Sequence, residues 1–492
     1  MTPALNRQRS NLQIGAAFVR KNLLLIAIVS ALVLIPCFWL HHAGWGDFPS
    51  HVYNAWLASQ VERGELPGLT LAHLHTNFLT DVILEWLIPH VGLSGAQRIV
   101  LSISVLLMFW GMFAIVAAIS RRQPWWLAPI LAMLCYGWAF HLGFLNSYVS
   151  TAICFWTFAL LWSGARVIDG SAAILLTVLA AMAHPVPLAW AAGTLLFGSV
   201  VRRKVSSWNW VLLPAGVAGL IAFNRLAVVK LSGEWIPIPI LNVSGADQFY
   251  IFRARFYWLA VVIAVLGALL MIHAARSSGW KTFFSSVPVQ MYLLTCAAVF
   301  LMPIAFIPPG QSLRFGFFAD RLSLMAAVLG CAILVPLQVR RRAWSVIGIL
   351  TICFFCFVYS DERQLDRMES KVETLIAGIP PGRRVAALLY YPRSRYEANP
   401  HALDRACIGR CWSYGNYEPS AGQFRVRASG PNPYVLWKND DMDDLQHGRY
   451  VVMPADLPLY QIYACGPKPL DLCIRALQAG ERNGSIDLLR HW

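Results

Sequence analysis

Long runs of apolar residues, each about the length needed to cross a bilayer as a helix, alternate with short polar segments over most of the chain. This pattern predicts an α-helical multi-pass membrane protein with eleven spans in residues 1–359. The spans fall near 22–40, 98–119, 126–141, 146–164, 171–183, 187–200, 208–227, 256–274, 286–306, 321–338 and 343–359. At His184-Pro185, a kink in one long helix is the alternative to a turn between two helices.

Residues 41–97, here called the first loop, are too apolar to be a free linker. Apolar residues recur at helical spacing over 48–63 and over 78–89, which predicts two helices lying at the membrane surface. Asp81 and Glu85, one turn apart in the second helix, are expected on its solvated face. The two helices would form a collar on the membrane beside the first span.

Residues 360–492 have a different character. A charged amphipathic pattern continues to about Ile379, and strand-like runs follow at 385–391, 434–437 and 449–453, separated by Pro, Gly, Asn and Asp. We predict a small mixed α/β domain outside the membrane, here called the C-terminal domain.

Charge predicts the orientation of the chain. Of its 492 residues, 57% are hydrophobic and 13% are charged, a balance far too apolar for a soluble protein. Short basic loops, such as 121–122, 202–204 and 340–342, fall on one side of an eleven-span chain, and that side is expected to be cytoplasmic. The N-terminus is then cytoplasmic, the C-terminal domain is extracytoplasmic, and the protein lies in the inner (plasma) membrane.

The net charge of +15 does not indicate nucleic acid as a partner. Residues 360–492 carry 17 Lys and Arg against 16 Asp and Glu, whereas the membrane part carries 23 against 9. The surplus belongs to loops beside the lipid bilayer, where basic residues are expected. Nucleic-acid binding is therefore excluded.

Cysteine usage agrees with an exported C-terminal domain. Seven of the 11 cysteines lie in apolar spans, where they are expected to be small buried hydrophobes. The other four, Cys407, Cys411, Cys465 and Cys473, lie in the C-terminal domain. Their even number predicts disulfides, most simply Cys407 with Cys411 and Cys465 with Cys473, although three pairings are possible and a zinc site is the alternative.

The first candidate site is the segment 41–51, which places an acid and three histidines directly after the first span. A carboxylate at the end of a membrane helix is costly unless it meets water, a cation or a substrate. Asp47 can also cap a helix beginning near Phe48, and His51 then lies one turn away on the same side. A structural N-cap and a functional carboxylate are both open interpretations of Asp47.

Histidines are also expected at the outer ends of later helices. His141 and His184 come from separate, very short outer turns. Together with the first loop they predict one polar cavity at the outer face of the membrane.

The order of these elements resembles the GT-C superfamily of polyprenyl-phosphate-sugar-dependent glycosyltransferases. At residue level the resemblance rests on Gly46-Asp47 with His51, and more loosely on 141–148 and 318–322. It implies that Asp47 is a catalytic or metal-associated carboxylate, with Mg²⁺ or Mn²⁺ as the candidate cation and a polyprenyl-phosphate-linked sugar as donor. Many members carry a second acid in the next outer loop, where this chain offers only 141–146.

Glycosyl transfer from a lipid phosphate to a hydroxyl needs a base for the acceptor proton and cationic groups for the departing phosphate. We expect Asp47 to be the base, with His51 as a positioning neighbour or alternative base. Arg314 and Arg321 are candidates for the phosphate, since arginine binds it bidentately, although a structural Asp320–Arg321 pair is equally consistent. The expected substrate-binding residues are His141, Asn146, His184, Arg314, Asp320 and Arg321.

Two non-enzymatic interpretations stay open. A transporter is expected to carry charged groups at mid-membrane and an internal repeat, and the sequence has almost none of the former and no visible repeat. A membrane assembly or sensor protein with an outer domain fits the same pattern of spans. The donor sugar, the acceptor and the oligomeric state do not follow from the sequence.

Overall fold

The computed structural model describes residues 20–164, 167–203, 209–307, 315–338, 341–389, 401–466, 468 and 470–484. This part of the chain is mostly helical, with a few short strands. The helices are α1 (Arg20–Cys37), α2 (Phe48–Glu62), α3 (Leu79–Ser120), α4 (Ala128–Cys135), α5 (Trp138–His141), α6 (Leu145–Trp162), α7 (Val167–Ala183), α8 (Pro185–Arg203), α9 (Asn209–Lys230), α10 (Ile240–Ser244), α11 (Ala254–Ser278), α12 (Trp280–Ser285), α13 (Val287–Leu301), α14 (Phe318–Leu334), α15 (Arg341–Ala377), α16 (Ala402–Cys407), α17 (Glu418–Ala421) and α18 (Asn439–Gln446).

Several helices are long and apolar enough to cross a membrane. Among the described residues there are six: Arg20–Cys37, Leu79–Ser120, Leu145–Trp162, Val211–Lys230, Ala254–Ser278 and Ala343–Ala377. Two shorter apolar helices are Gly170–Ala183 and Val287–Leu301. Large apolar side chains such as Leu24, Val229 and Ile352 are exposed on these helices, as expected of surfaces that face lipid. The fold is that of a membrane-embedded protein, and the count of eleven spans stays a prediction.

Two expected boundaries fall differently in the structure. The surface helix expected at 78–89 and the span at 98–119 are halves of α3, which bends at Gly92 (φ 72°, ψ 168°). The span expected at 126–141 is instead divided between α4 and α5.

At the junction between α7 and α8 the structure has two helices rather than one kinked helix. Pro185 begins α8, a position where its missing N–H breaks no helical hydrogen bond. His184 is the residue between them.

Helix α15 crosses the expected boundary between the membrane part and the C-terminal domain without a break. Its first half, about 343–360, is apolar, and its second half, 361–377, is charged. The chain enters the C-terminal domain as one continuous helix. The acidic residues of 361–377 therefore lie on the same helix as the apolar half, beside the first loop.

The strands form three small sheets. They are β1 (Leu69–Leu71), β2 (Ala305–Phe306), β3 (Phe315–Gly316), β4 (Arg384–Leu388), β5 (Trp412–Ser413), β6 (Val426–Ala428), β7 (Leu459–Ala464) and β8 (Leu472–Ala476). The C-terminal sheet has the order β5-β4-β7-β8, with β4 parallel to β5 and β7 and with β8 antiparallel to β7. The strand expected at 385–391 is β4, but no strand forms at 434–437, and 449–453 contains only a bridge at Val451.

The first loop is packed into the C-terminal domain. Strand β1 of the loop pairs antiparallel with β6, from Leu69 opposite Ala428 to Leu71 opposite Val426. Helix α2 is largely buried, and its Trp56 stacks on Trp412 with ring centroids 5.7 Å apart. The expectation that α2 lies on the membrane surface is therefore wrong, because the C-terminal domain covers the helix.

The four cysteines of the C-terminal domain form two disulfides. Cys407 is bonded to Cys411 and Cys465 to Cys473. The seven cysteines of the membrane part have free thiols.

Candidate functional site

Two turns in backbone contact hold Asp47. The Asp47 N–H donates to the carbonyl of Leu142, 3.0 Å away. Gly143 has φ +74°, and a Cβ there would lie 2.4 Å from the Asp47 nitrogen. Gly46 has φ +66°, and a Cβ there would lie 2.5 Å from the carbonyl oxygens of His141 and Leu142. Only glycine allows this close approach, so the turn before α2 and the turn before α6 fix each other.

The Asp47 side chain does not cap α2. Asp47 occupies the position before the helix, but its carboxylate makes no capping hydrogen bond. Instead the Tyr417 hydroxyl donates to Oδ1 at 3.0 Å, and His401 Nε2 lies 3.3 Å from the same oxygen. His51 Nε2, one turn along α2, lies 3.5 Å from Oδ2. The capping interpretation is wrong, and the carboxylate is the centre of a polar cluster.

Two histidine–aspartate pairs meet at this carboxylate from opposite ends of the chain. His51 Nδ1 lies 2.8 Å from Asp81 Oδ1, and His401 Nδ1 lies 2.8 Å from Asp404 Oδ2. In each pair the aspartate orients the ring so that Nε2 faces Asp47. Both rings are almost completely buried, which fixes their orientation.

Further polar groups complete the site around these pairs. Asn146 donates from Nδ2 to Asp81 Oδ2 at 3.1 Å, and its own Oδ1 accepts from the Thr80 N–H at 2.9 Å. Glu418 is buried beside α2 and accepts a hydrogen bond from the Ser50 hydroxyl at 3.2 Å. The site therefore combines residues of the first loop, α3, α6 and the C-terminal domain.

The electrostatics of the cluster favour charged imidazoles. Burial by itself would lower the pKa of His51, but the carboxylates of Asp81, Asp47 and Glu418 together raise it to about 10. The pKa of His401 is also raised above its ordinary value: burial opposes the shift, and Asp404 and Asp47 outweigh it. Burial, with Asp81 and Asp47 nearby, raises the pKa of Glu418 well above its usual range although His51 opposes the shift. Because its pKa is raised to about 10, His51 is expected to be charged at neutral pH.

His51 and His401 each present Nε2 to Asp47 while Nδ1 faces Asp81 or Asp404. Metal-binding histidines are commonly held by a carboxylate in the same way, so a divalent cation at Asp47 stays a prediction.

Arg321 lies at the edge of the site, at the start of α14. Its Nη1 donates to the Gly316 carbonyl at 3.0 Å, and its guanidinium carbon lies 4.9 Å from the ring centre of Phe144, next to Gly143. It is within electrostatic reach of Asp47. Its Nε is buried and has no hydrogen-bond partner among the residues that the structure describes. A guanidinium in this state can accept an anionic ligand.

The other expected binding residues contact different parts of the structure. His184 stacks on Phe315, with ring centroids 5.6 Å apart, and Phe315 also contacts Arg321. Asp320 Oδ1 accepts a hydrogen bond from Trp138 Nε1 at 2.8 Å. Arg314 lies outside the described residues.

His141 faces away from Asp47. Its Nε2 lies 3.1 Å from Glu362 Oε1, and its Nδ1 lies 3.1 Å from the Gly137 carbonyl. Glu362 also accepts from Trp39 Nε1 at 2.7 Å. In this structure His141 joins α5 to α15 and positions the turn that supports Asp47.

Several residues of the site were not expected from the sequence. They include Asp81, His401, Asp404, Tyr417 and Glu418. Asp81 was expected on a solvated helix face, and Glu85, its expected companion there, forms an ion pair with Arg425 of the C-terminal domain. The sequence signal for His401 was a histidine in the C-terminal domain that has no metal-site spacing to explain it.

An apolar cavity of about 410 Å³ opens between the helices. Its walls include Leu134 of α4, Leu266 of α11, and Ala327 and Leu334 of α14, but not Asp47 or Arg321. Helix α14 connects the cavity to the edge of the site, because Ala327 follows Arg321 by six residues, or about 9 Å of helix rise.

No protein-family model, curated protein or solved structure matches the chain.

Proposed function

We propose that the protein is a membrane glycosyltransferase that moves a sugar from a polyprenyl-phosphate donor to a glycan, lipid or protein acceptor at the outer face of the membrane. The observation that supports it best is the Asp47 carboxylate, buried yet uninvolved in capping, and oriented by His51, His401 and Tyr417. Such an arrangement is typical of a carboxylate that acts on a substrate.

In the proposed reaction the acceptor hydroxyl attacks the anomeric carbon of the sugar. A bond forms between that carbon and the acceptor oxygen, the bond from the carbon to the phosphate oxygen breaks, and the acceptor proton passes to Asp47. His51, oriented by Asp81, and His401, oriented by Asp404, hold the carboxylate in position.

The departing phosphate needs positive charge beside it. Arg321 is suited to this role, since its Nε has no partner among the described residues and its side chain lies between Phe144 and Phe315. The apolar cavity along α14 would take part of the polyprenyl tail. The proposed orientation places the N-terminus in the cytoplasm and the C-terminal domain outside, in a GT-C-like fold.

Substitution of Asp47 by asparagine tests the proposal. The amide oxygen of asparagine can still accept the hydrogen bond from the Tyr417 hydroxyl, so we expect the variant to accumulate in the membrane at wild-type levels. An amide cannot accept the acceptor proton, and loss of a general base typically lowers the rate about 10²- to 10⁴-fold. Profiling of lipid-linked and surface glycans in a deletion strain complemented with Asp47→Asn should therefore show the product missing.

The matched control is Glu62→Gln. Glu62 belongs to the same helix α2, but its side chain is exposed and pairs with Arg425 at 3.2 Å. This variant should restore the product. If Asp47→Asn restores the product as well as wild type, Asp47 is not the base and an assembly or sensor protein becomes the better interpretation.

A further inference from the structure

We propose that His41, His42 and Asp366 form a binding site for a divalent transition-metal ion, Zn²⁺ first among them. The site lies where α1 leads into the first loop and α15 passes beside it, and it is separate from the cluster around Asp47. One potential ligand atom from each of the three residues lies within 4.8 Å of the other two. Two imidazoles and a carboxylate are a ligand set that zinc, nickel and copper accept.

The two histidine rings already have the relative position of ligands on one ion. His41 Nδ1 and His42 Nε2 are 3.3 Å apart, and the rings meet edge to face with centroids 4.6 Å apart. A tetrahedral zinc ion with bonds of about 2.0–2.1 Å keeps its ligand atoms roughly 3.3 Å from each other. Asp366 reaches an ion on His41 Nδ1 and His42 Nε2 only after leaving His42 Nδ1, so binding requires this carboxylate to change its partner.

Carboxylates on α15 lie on both sides of His42. Asp366 Oδ1 lies 2.9 Å from His42 Nδ1 and accepts the His42 backbone N–H at 2.8 Å. Glu373 Oε1 lies 3.1 Å from His42 Nε2. Their two negative charges balance those of a divalent cation bound at His42.

The exposure of the residues suits reversible binding. His42 is buried, His41 is exposed, and Asp366 is half-buried, so that an ion can enter from solvent and meet a fixed partner. A bound ion would connect the end of α1 to α15 five residues before Asp47. The inference does not depend on the proposed glycosyl transfer.

Zinc binding by the tag-free protein in detergent tests the site. The protein is incubated with Zn²⁺, freed of excess by gel filtration and analysed for metal by mass spectrometry, and affinity is measured by competition with a chromogenic chelator. We expect about one zinc per chain in the wild type. His41→Ala removes a ligand that is exposed, so the fold should persist while zinc affinity falls at least 10-fold.

Asp366→Asn should also lower zinc affinity at least 10-fold. His90→Ala is the matched control, because His90 is an exposed histidine on α3 whose ring stacks on Trp86 of the same helix; this variant should bind zinc as the wild type does. Equal zinc content in the wild type and His41→Ala would overturn the proposal, and so would a wild type that retains no zinc. The monodispersity of each variant in gel filtration separates loss of the site from loss of the fold.

Discussion

Replacement of Arg405 by alanine is expected to loosen the junction that builds the candidate site. Arg405 of α16 binds Glu369 of α15 through two hydrogen bonds, from Nε and Nη2, each 2.6 Å long. Its Nη1 also donates to the Ala43 carbonyl at 2.6 Å and to Gln97 Oε1 at 2.8 Å. One guanidinium thus joins the C-terminal domain, α15, α3 and the segment before Asp47.

The expected magnitude follows from burial. The side chains of Arg405 and Glu369 are 3% and 1% exposed, so the alanine variant leaves a carboxylate buried without its cation. Breaking such a pair from one side costs about 3–5 kcal/mol. The Ala43 carbonyl and Gln97 also lose their donor, at about 1–3 kcal/mol each where no water replaces it.

A double variant separates the pair from its surroundings. Arg405→Met combined with Glu369→Leu removes both charges and keeps most of the apolar volume, a replacement that is often close to neutral. We expect the double variant to be more stable than Arg405→Ala, with a remaining loss from the unsatisfied Ala43 carbonyl and Gln97.

The assay is thermal unfolding of the purified protein in one detergent, with limited proteolysis of the C-terminal domain at 25 °C as a second measurement. Arg449→Ala is the control, because Arg449 pairs with Asp443 and Asp444 on the exposed surface of the same domain, where ion pairs contribute little. An Arg405→Ala protein as stable as this control would refute the reasoning. A double variant no better than the single one would show that the lost hydrogen bonds to the Ala43 carbonyl and Gln97, and not the unpaired buried charge, determine the loss.

Two further predictions concern pH and oxidation. The folded state raises the pKa of His51 to about 10 from an ordinary value near 6.5. The stability gained from its charge is therefore complete below about pH 6.5 and is lost as the pH rises toward 10. The melting temperature of the wild type should fall over this range, and that of a His51→Gln protein should depend less on pH. The four cysteines of the C-terminal domain should be protected from alkylation until the protein is reduced, because they form the disulfides Cys407–Cys411 and Cys465–Cys473. Mass spectrometry of peptides labelled before and after reduction tests this. Labelling of all four without reduction would contradict the exported location.

Features set by local sequence were predictable. Helix α2 begins at Phe48 as expected, and His51 reaches Asp47 across one turn, because both depend only on helical periodicity. Pro185 left two interpretations at His184, one kinked helix or two helices. Two helices were preferred because a single helix would place the later basic loops outside, and the structure has two.

Features set by distant contacts were not predictable. Amphipathic spacing shows that α2 has an apolar face but not which surface covers it, and both a bilayer and a protein domain satisfy the pattern. The structure buries Tyr53 against the C-terminal domain, and the Tyr53 hydroxyl accepts the Ser413 N–H at 3.1 Å. Asp81 was assigned to solvent for the same reason, since its partner His51 lies 30 residues away.

Two of the missed strands of the C-terminal domain are very short. Strand β5 has two residues and β6 has three, lengths at which alternation carries almost no signal. The pairing of β6 with β1 of the first loop joins segments more than 350 residues apart. A sequence pattern cannot contain such a contact.

The division of the chain into a membrane domain and an outer domain therefore does not describe the site. Asp47 and His51 come from the first loop, and His401 and Tyr417 come from the C-terminal domain. Because these groups meet only when α2 is covered by that domain, the membrane part alone would leave the Asp47 carboxylate without two of its three polar neighbours. Arg405 of the domain binds Glu369 and the Ala43 carbonyl, four residues before Asp47, so the geometry of the carboxylate depends on the docking of the domain. The C-terminal domain is thus a structural part of the candidate active site, and this explains why buried charges such as Arg405, Glu369 and Asp404 lie at the junction.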